Sequence, residues 1–392
     1  GAPWRVFRLR KSLYGSADAP MRWYQRLKEW LDTKGFKPSE EDCCLFSNAT
    51  TGARLTTHVD DILLRAEPAV TEKFWHEINK DLGLKGWGYI RPGQPRRHCG
   101  SNWSAEDRNG VRWYSIDQEA DIKEFLMQEG YHGGRHVASP MQNNKEMHSD
   151  PTLLVGAEKK KFASLKGSLQ WFANQTRWDI AFSVARLGQQ GGQPTRGGMN
   201  ALERVLQYLA CHPQHALQCP KVKGTVINVY SDSDHAGDRQ ETTRSHTGVA
   251  IMINGMMTQW VSQKQPDTSV SSAQAEVYAL AEAVRLGRAT QWVGEDMAMD
   301  VQWPLPILVD NAAAISFQQA TNLNSKLLGH YRLKDAAIRE LRDKKQIKAV
   351  KVHTTKNIAD IFTKSLMGPV IATLLKEAQT VAEHISDQHR AS

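Results

Sequence analysis

The chain has 392 residues, 40% hydrophobic and 23% charged, a balance that predicts two or three globular domains and argues against disorder. No run approaches the roughly 20 apolar residues of a membrane span, and the opening Gly1-Ala-Pro-Trp-Arg is no signal peptide, so the chain reads as an excerpt of something longer. A net charge of +8 favours an anionic partner, nucleic acid first, the alternative being a merely solvated basic surface. The five cysteines are odd in number and hold no Cys-x-x-Cys pair, which argues against a disulfide framework and a zinc knuckle and points to a reducing, intracellular compartment.

In chain order, residues 20–31 have the spacing of an amphipathic helix, with Trp23, Leu27 and Leu31 at four-residue intervals. Residues 55–64 read as strand, turn and strand, with Asp60 and Asp61 at the bend. The Gly-, Pro-, Arg- and Trp-rich stretch 86–113 fits no single pattern, and a helix is expected over 118–129. The chain turns polar over 137–150, which suggests a boundary near residue 140. Two helices are expected within 158–212, the second over 199–210, separated by the Gly/Gln/Pro-rich segment 188–198. From residue 226 the pattern changes to strands at 226–230, 248–252 and 258–262, then a long helix over 272–297 and a strand at 305–309. Helices over 311–320 and 331–344, a strand at 347–352, a helix near Asn357 and a helical or frayed tail after Met367 complete the series. Three antiparallel-looking strands followed by alternating helices and strands predict an α+β or mixed α/β layout.

Four acids occupy positions from which a fold can gather them. Asp232 follows a strand, Glu276 lies in the first turns of the long helix, Asp310 ends a strand, and Asp360 opens the last predicted helix. They are 44, 34 and 50 residues apart, so only the tertiary fold can bring them together. Strand ends and helix starts project toward one edge of a sheet. Converging carboxylates repel one another unless a cation joins them, and Mg²⁺, which takes oxygen ligands and keeps waters, is the natural choice. Two such ions activate a water and stabilise the leaving oxygen of a phosphodiester. Taken singly, each acid is weak evidence, since a lone Asp at a strand end is more often a helix cap or turn former.

The surrounding residues carry a resemblance. Tyr230-Ser-Asp-Ser-Asp-His-Ala-Gly-Asp238, Trp260-Val-Ser-Gln-Lys-Gln-Pro266 with Ser271-Ser-Ala-Gln-Ala-Glu276, Val309-Asp-Asn-Ala-Ala-Ala-Ile315 and Asn357-Ile-Ala-Asp-Ile-Phe-Thr-Lys364 resemble, in order and spacing, the ribonuclease H of copia-type retrotransposon Pol polyproteins over about 140 residues. The resemblance implies a ribonuclease H-like domain with a mixed five-stranded sheet. It implies Asp232, Glu276, Asp310 and Asp360 as ligands of Mg²⁺ or Mn²⁺, and an RNA–DNA hybrid as substrate. Asp234 and Asp238 are read as structural neighbours. His353 resembles a mobile histidine that helps move protons or release product, the alternative being a surface residue that ends a strand. His330 matches the family's Lys-His stretch, where packing or capping is the competing reading. Lys264 is a candidate phosphate contact.

Lys11-Ser-Leu-Tyr-Gly15, Trp23-Tyr24, Asp42-Cys-Cys-Leu-Phe46 and His58-Val-Asp-Asp-Ile-Leu63 resemble the same family's reverse transcriptase. The likeness implies Lys11, Tyr14 and Gly15 near nucleic acid, Asp60 as a metal ligand and Asp61 as a supporting acid in the polymerase turn. Cys99-Gly100 is matched to a primer-holding turn. Ser139-Pro-Met141, Gly167-Ser-Leu169 and Asp179-Ile-Ala-Phe182 resemble the thumb and connection. Two departures are expected to matter: a further metal-binding Asp is expected upstream of Lys11, which makes the polymerase incomplete here, and His58 replaces the usual Tyr. The implied organisation is a truncated reverse transcriptase palm and thumb over 1–140, a helical connection over 141–220, a ribonuclease H-like domain over 221–370 and a tail over 371–392. The rest of a Pol polyprotein would lie upstream, no membrane partner is implied, and the location would be cytoplasmic (virus-like particle), nuclear or both. The competing readings are a non-catalytic nucleic-acid-binding remnant of a decayed transposon and a generic metal-dependent DNA nuclease.

Overall fold

The computed structural model describes residues 15–131, 136–142, 146–234, 244–269, 271–310 and 329–391. Lys11, Tyr14, Asp238 and the helix expected over 311–320 lie outside the described residues, as does the side chain of His330. No described helix is long and apolar enough to cross a membrane. The chain divides into two compact units, Gly1–Gly88 with Ala289–Asp300, and Tyr89–Arg288 with Val301–Ser392.

In the first unit, helix α1 (Ala19–Thr33) carries Pro20 in its first turn, where a missing N–H costs nothing. Its stripe buries Leu27 and Leu31 against Phe36, Phe46, Leu55, Phe74 and Ile78. Four antiparallel strands follow in sequential order: β1 (Lys37–Pro38), β2 (Leu45–Asn48), β3 (Ala53–His58) and β4 (Asp61–Arg65). Strand β3 alternates buried and half-buried residues, so one face meets the core. Helix α2 (Pro68–Leu82) supplies Phe74 and Ile78 and ends at Gly83 in the left-handed conformation. Asp296 binds this unit's turn, accepting hydrogen bonds from Ser39 Oγ at 2.7 Å and the Glu40 N–H at 2.9 Å.

The second unit contains two sheets and a helical cluster. Strands β5 (Arg96–His98), β6 (Ser101–Arg108), β7 (Val111–Asp117) and β8 (Ala216–Pro220) form an antiparallel sheet in that order. Two of these strands lie within the stretch 86–113 that sequence patterning left unassigned, and β7 begins in it. The reason is that few of their residues are apolar and fully buried, chiefly Ala105, Val111 and Trp113. Helices α3 (Glu119–Gln128), α4 (Gly156–Gln175), α5 (Ala181–Gln189) and α6 (Arg196–Cys211) share a core that includes Ile122, Leu169, Val184, Leu202 and Leu206. The two helices expected within 158–212 are therefore three. The chain breaks after Thr176 because Arg177 turns inward to form a buried ion pair with Asp179 at 2.7 Å.

The five-stranded mixed sheet expected after residue 221 is present. Strands β9 (Ile227–Asp234), β10 (His246–Ile253) and β11 (Met256–Lys264) are antiparallel, while β12 (Leu305–Val309) runs parallel to β9 and β13 (Ile347–Lys351) parallel to β12. Their order is β11-β10-β9-β12-β13. Successive side chains point to opposite faces. Val229, Val249, Ile251 and Ile307 pack with Leu280 and Val284 of α7 (Ser272–Asp296) and Ile338 of α8 (Gly329–Asp343). Tyr230, Ala250 and Met252 face Ile358, Phe362 and, from α9 (Gly368–Ala391), Ile371 and Leu374. The helix expected near Asn357 is only a short 3₁₀ turn, Ile358–Phe362, with Asp360 in its middle rather than at a helix start. It stays short because all five of its residues are buried between the sheet and α9.

His246 opens β10 inside this core, with its Nε2 3.0 Å from Ser262 Oγ and its ring against Phe182. Burial, with the nearby charges of Arg186 and Lys264, holds it down at about 3. In the unfolded chain it titrates near 6.5. A neutral folded histidine contributes stability that is complete above pH 6.5 and is lost as the pH falls toward 3. The melting temperature should therefore decline from pH 6.5 to pH 4, and less steeply in His246→Asn. Parallel pH profiles for the two proteins would refute that assignment.

Candidate active site

Asp232 and Asp310 meet because their strands are parallel neighbours. β9 and β12 pair Val229 with Ile307 and Tyr230 with Leu308, which carries Asp232 and Asp310, two residues further on, to the same carboxyl end of the sheet. Asp360 arrives from the 3₁₀ turn. Asn357 fixes that turn: its Nδ2 donates to the Ser231 carbonyl at 3.1 Å and its Oδ1 accepts from the Ala359 N–H at 3.3 Å. One oxygen from each of Asp232, Asp310 and Asp360 then lies within 4.8 Å of the others, with Asp232 and Asp360 buried.

The electrostatics are those of crowded like charges. Burial, then repulsion from Asp232, pushes Asp360 up to about 7, against the pull of Lys364. Thr363 Oγ1 donates to Asp232 Oδ2. Lys364 Nζ stands 3.1 Å from Asp360 Oδ1 and 3.7 Å from Asp232 Oδ2. Burial draws the Lys364 ammonium down, but Asp232, Asp360 and Asp310 outweigh it and hold Lys364 above its ordinary value. Asp360 Oδ1 is buried and faces the Lys364 ammonium. Three convergent carboxylates suit a hard, oxygen-seeking divalent cation such as Mg²⁺ or Mn²⁺.

Glu276, the fourth acid expected, lies half-buried in the first turns of α7 and is not one of the three whose oxygens converge. Asp234 is half-buried at the end of β9. His353 is exposed after β13 and caps the next turn, its Nδ1 2.8 Å from Thr355 Oγ1. Lys264 is half-buried at the end of β11, in register with His246. In the first unit, Asp60 and Asp61 are both exposed at the β3–β4 bend. That bend places Val59 in the left-handed region at φ 57°, and Trp23 Nε1 pins its carbonyl at 2.6 Å. Gly15 is also left-handed, at φ 90°.

Two contributors were not singled out from sequence. Lys364 closes the fourth motif without having been assigned a role; its one signal is the four-residue spacing from Asp360. Gly248 lies opposite Asp232 in the β9–β10 register. A Cβ there would sit 2.6 Å from the Ala359 carbonyl oxygen and 2.6 Å from Thr363 Cγ2. Only a glycine lets the Asp360 turn lie this close to the sheet. Gly248→Ala should cost about 1–3 kcal/mol through displacement of packed backbone, and should weaken divalent binding. A melting curve and Mn²⁺ affinity unchanged from wild type would contradict this.

The chain matches the reverse transcriptase (RNA-dependent DNA polymerase) family over residues 1–92. It is 28% identical over 373 residues to the Retrovirus-related Pol polyprotein from transposon RE2 of Arabidopsis thaliana, an alignment covering 92% of this chain and 24% of the relative. Distant structural likenesses are LC11-RNase H1 in complex with RNA/DNA hybrid (19% identity, TM-score 0.27, 35% of this chain and 93% of that one) and the foamy viral protease-reverse transcriptase in complex with dsDNA (12%, 0.48, 87% and 60%). These matches support a copia-type retrotransposon Pol polyprotein fragment, with the reverse transcriptase likeness in its first 92 residues. The chain spans about a quarter of the length of the Arabidopsis thaliana relative.

Proposed function

We propose that the chain hydrolyses the RNA strand of RNA–DNA hybrids at the Asp232–Asp310–Asp360 cluster, using Mg²⁺ or Mn²⁺. The observation that supports this most is the meeting of three carboxylates, from segments far apart in sequence, within 4.8 Å at the carboxyl end of a mixed five-stranded sheet. Asp232, Asp310 and Asp360 would hold the ions, and Glu276 would complete the ligand set from α7. Bound divalent ions supply an activated water and stabilisation of the leaving 3′-oxygen. The protein's own part is to fix the three acids through the β9–β12 pairing, Asn357 and Thr363. His353, exposed and beside the last ligand segment, would move protons or assist product release. Residues 221–370 would form this domain, and Asp60 and Asp61 would belong to a separate polymerase turn. The rest of a Pol polyprotein would accompany it inside the cell, in the cytoplasm or nucleus.

The test is cleavage of end-labelled RNA in three contexts: paired with DNA, single-stranded, and paired with RNA, beside duplex DNA. Cutting restricted to the hybrid, dependent on Mg²⁺ or Mn²⁺, is expected. Binding without cutting would favour the non-catalytic remnant, and cutting of duplex DNA a general nuclease. Hybrid affinity should also fall steeply with salt as phosphates release counterions. Lys264→Ala should weaken binding for all sequences and reduce the log–log salt slope by about one. A slope unaltered by that substitution would remove Lys264 from the interface.

A further inference from the structure

The segment Asp360 to Lys364 delivers three different groups to one place. Asp360 provides a carboxylate, Thr363 a hydroxyl donated to Asp232, and Lys364 an ammonium 3.1 Å from Asp360 and 3.7 Å from Asp232. Two buried acids and a third beside them repel one another strongly without positive charge. The Lys364 ammonium supplies that charge from inside the chain. It does so as a compact cation on a flexible stem with three rotatable donors. Its side chain is 39% exposed, so its head has a direct path back to water. A divalent ion drawing ligands from Asp232 and Asp360 would meet the ammonium at the same oxygens.

We propose that Lys364 is a resident counter-cation: it occupies the carboxylate cluster in the metal-free protein, and a divalent ion binds only by displacing it toward solvent. Lys364 thereby sets the divalent concentration at which the site fills. This rests on reading the cluster as a divalent-ion site. The advantage of the arrangement is that the sheet end stays assembled without metal; the drawback is competition. Like charges this close cannot share the site, so occupancy by one excludes the other.

The experiment uses the full 392-residue chain and reads Mn²⁺ affinity from the electron paramagnetic resonance of free Mn²⁺, with melting curves in EDTA and in Mn²⁺. Lys364→Met should bind Mn²⁺ about tenfold tighter, melt lower than wild type in EDTA, and recover most of that loss in Mn²⁺. Lys364→Arg keeps the charge and should stay within about twofold of wild-type affinity. Equal or weaker Mn²⁺ binding by Lys364→Met would overturn the proposal. Should that variant fail to fold in EDTA, Lys364→Gln, which keeps a polar head, takes its place under the same criterion. Asp360→Asn tests the underlying reading separately: if it binds Mn²⁺ as wild type does, the carboxylate site itself is wrong, whatever Lys364 does.

Discussion

Asp310→Asn should reduce hybrid cleavage by at least about a hundredfold while leaving the fold intact. The substitution keeps shape and volume and removes one charge from a cluster whose acids repel. Asp310 is half-buried, directly after β12. The metal-free melting temperature should therefore hold or rise, because relieving repulsion at a functional site stabilises a protein even as it disables it. The stabilisation gained on adding Mn²⁺ should shrink in parallel with activity. Cleavage equal to wild type would dismiss the cluster as the reacting site. Loss of activity accompanied by a large drop in melting temperature would instead place Asp310 in the architecture.

The second large effect is expected far from the acids. Arg177 is fully buried, at 0% exposure, and gives Asp179 two hydrogen bonds of 2.9 and 2.7 Å, while Tyr208 Oη donates to the same carboxylate at 3.0 Å. Burial alone would raise Asp179, but Arg177, His215 and Tyr208 outweigh it and hold its carboxyl far below the usual range. Its contribution is thus present above the unfolded carboxylate range near pH 4 and survives until strongly acidic conditions. Asp179→Asn leaves the guanidinium without its counter-charge and should cost about 3–5 kcal/mol. Arg177→Met combined with Asp179→Leu should cost less than Asp179→Asn, since no charge is then left uncompensated. Chemical denaturation of the three proteins decides it: if Asp179→Asn is the mildest, the pair is not what holds the α4–α5 junction.

The contrast between these two sites explains what sequence could and could not reveal. Asp232 and Asp310 were legible because strand periodicity put them at or just after the end of an apolar run, and Asp360 because its neighbours, like theirs, repeated a familiar order. Arg177 and Asp179 were not, because charged residues between two helical stretches look like a solvated face, and nothing local says that both point inward. The strands within 96–117 escaped for a related reason: most residues of β6 and β7 are half-buried and few apolar ones are buried, so no alternation stands out. Gly248 looked like an ordinary strand start, since the close approach that demands it comes from residues 359–363, more than a hundred positions later. The long helix, by contrast, was found nearly to the residue, because its apolar repeat extends over seven turns.

The three converging acids also tie the ion to the order of synthesis. Asp232 is made 128 residues before Asp360, and the strand that brings Asp310 alongside it pairs in parallel, a contact no local hairpin can form. A ribosome-bound chain that has not yet released residue 360 holds at most two of the three ligands. A divalent ion that binds the completed cluster but not the partial one adds stability only at the end, by an amount that grows with the logarithm of its concentration. The cation would then act as a late latch on translation's product, its stabilisation withheld from a nascent chain until the turn that carries Asp360 had closed on the sheet.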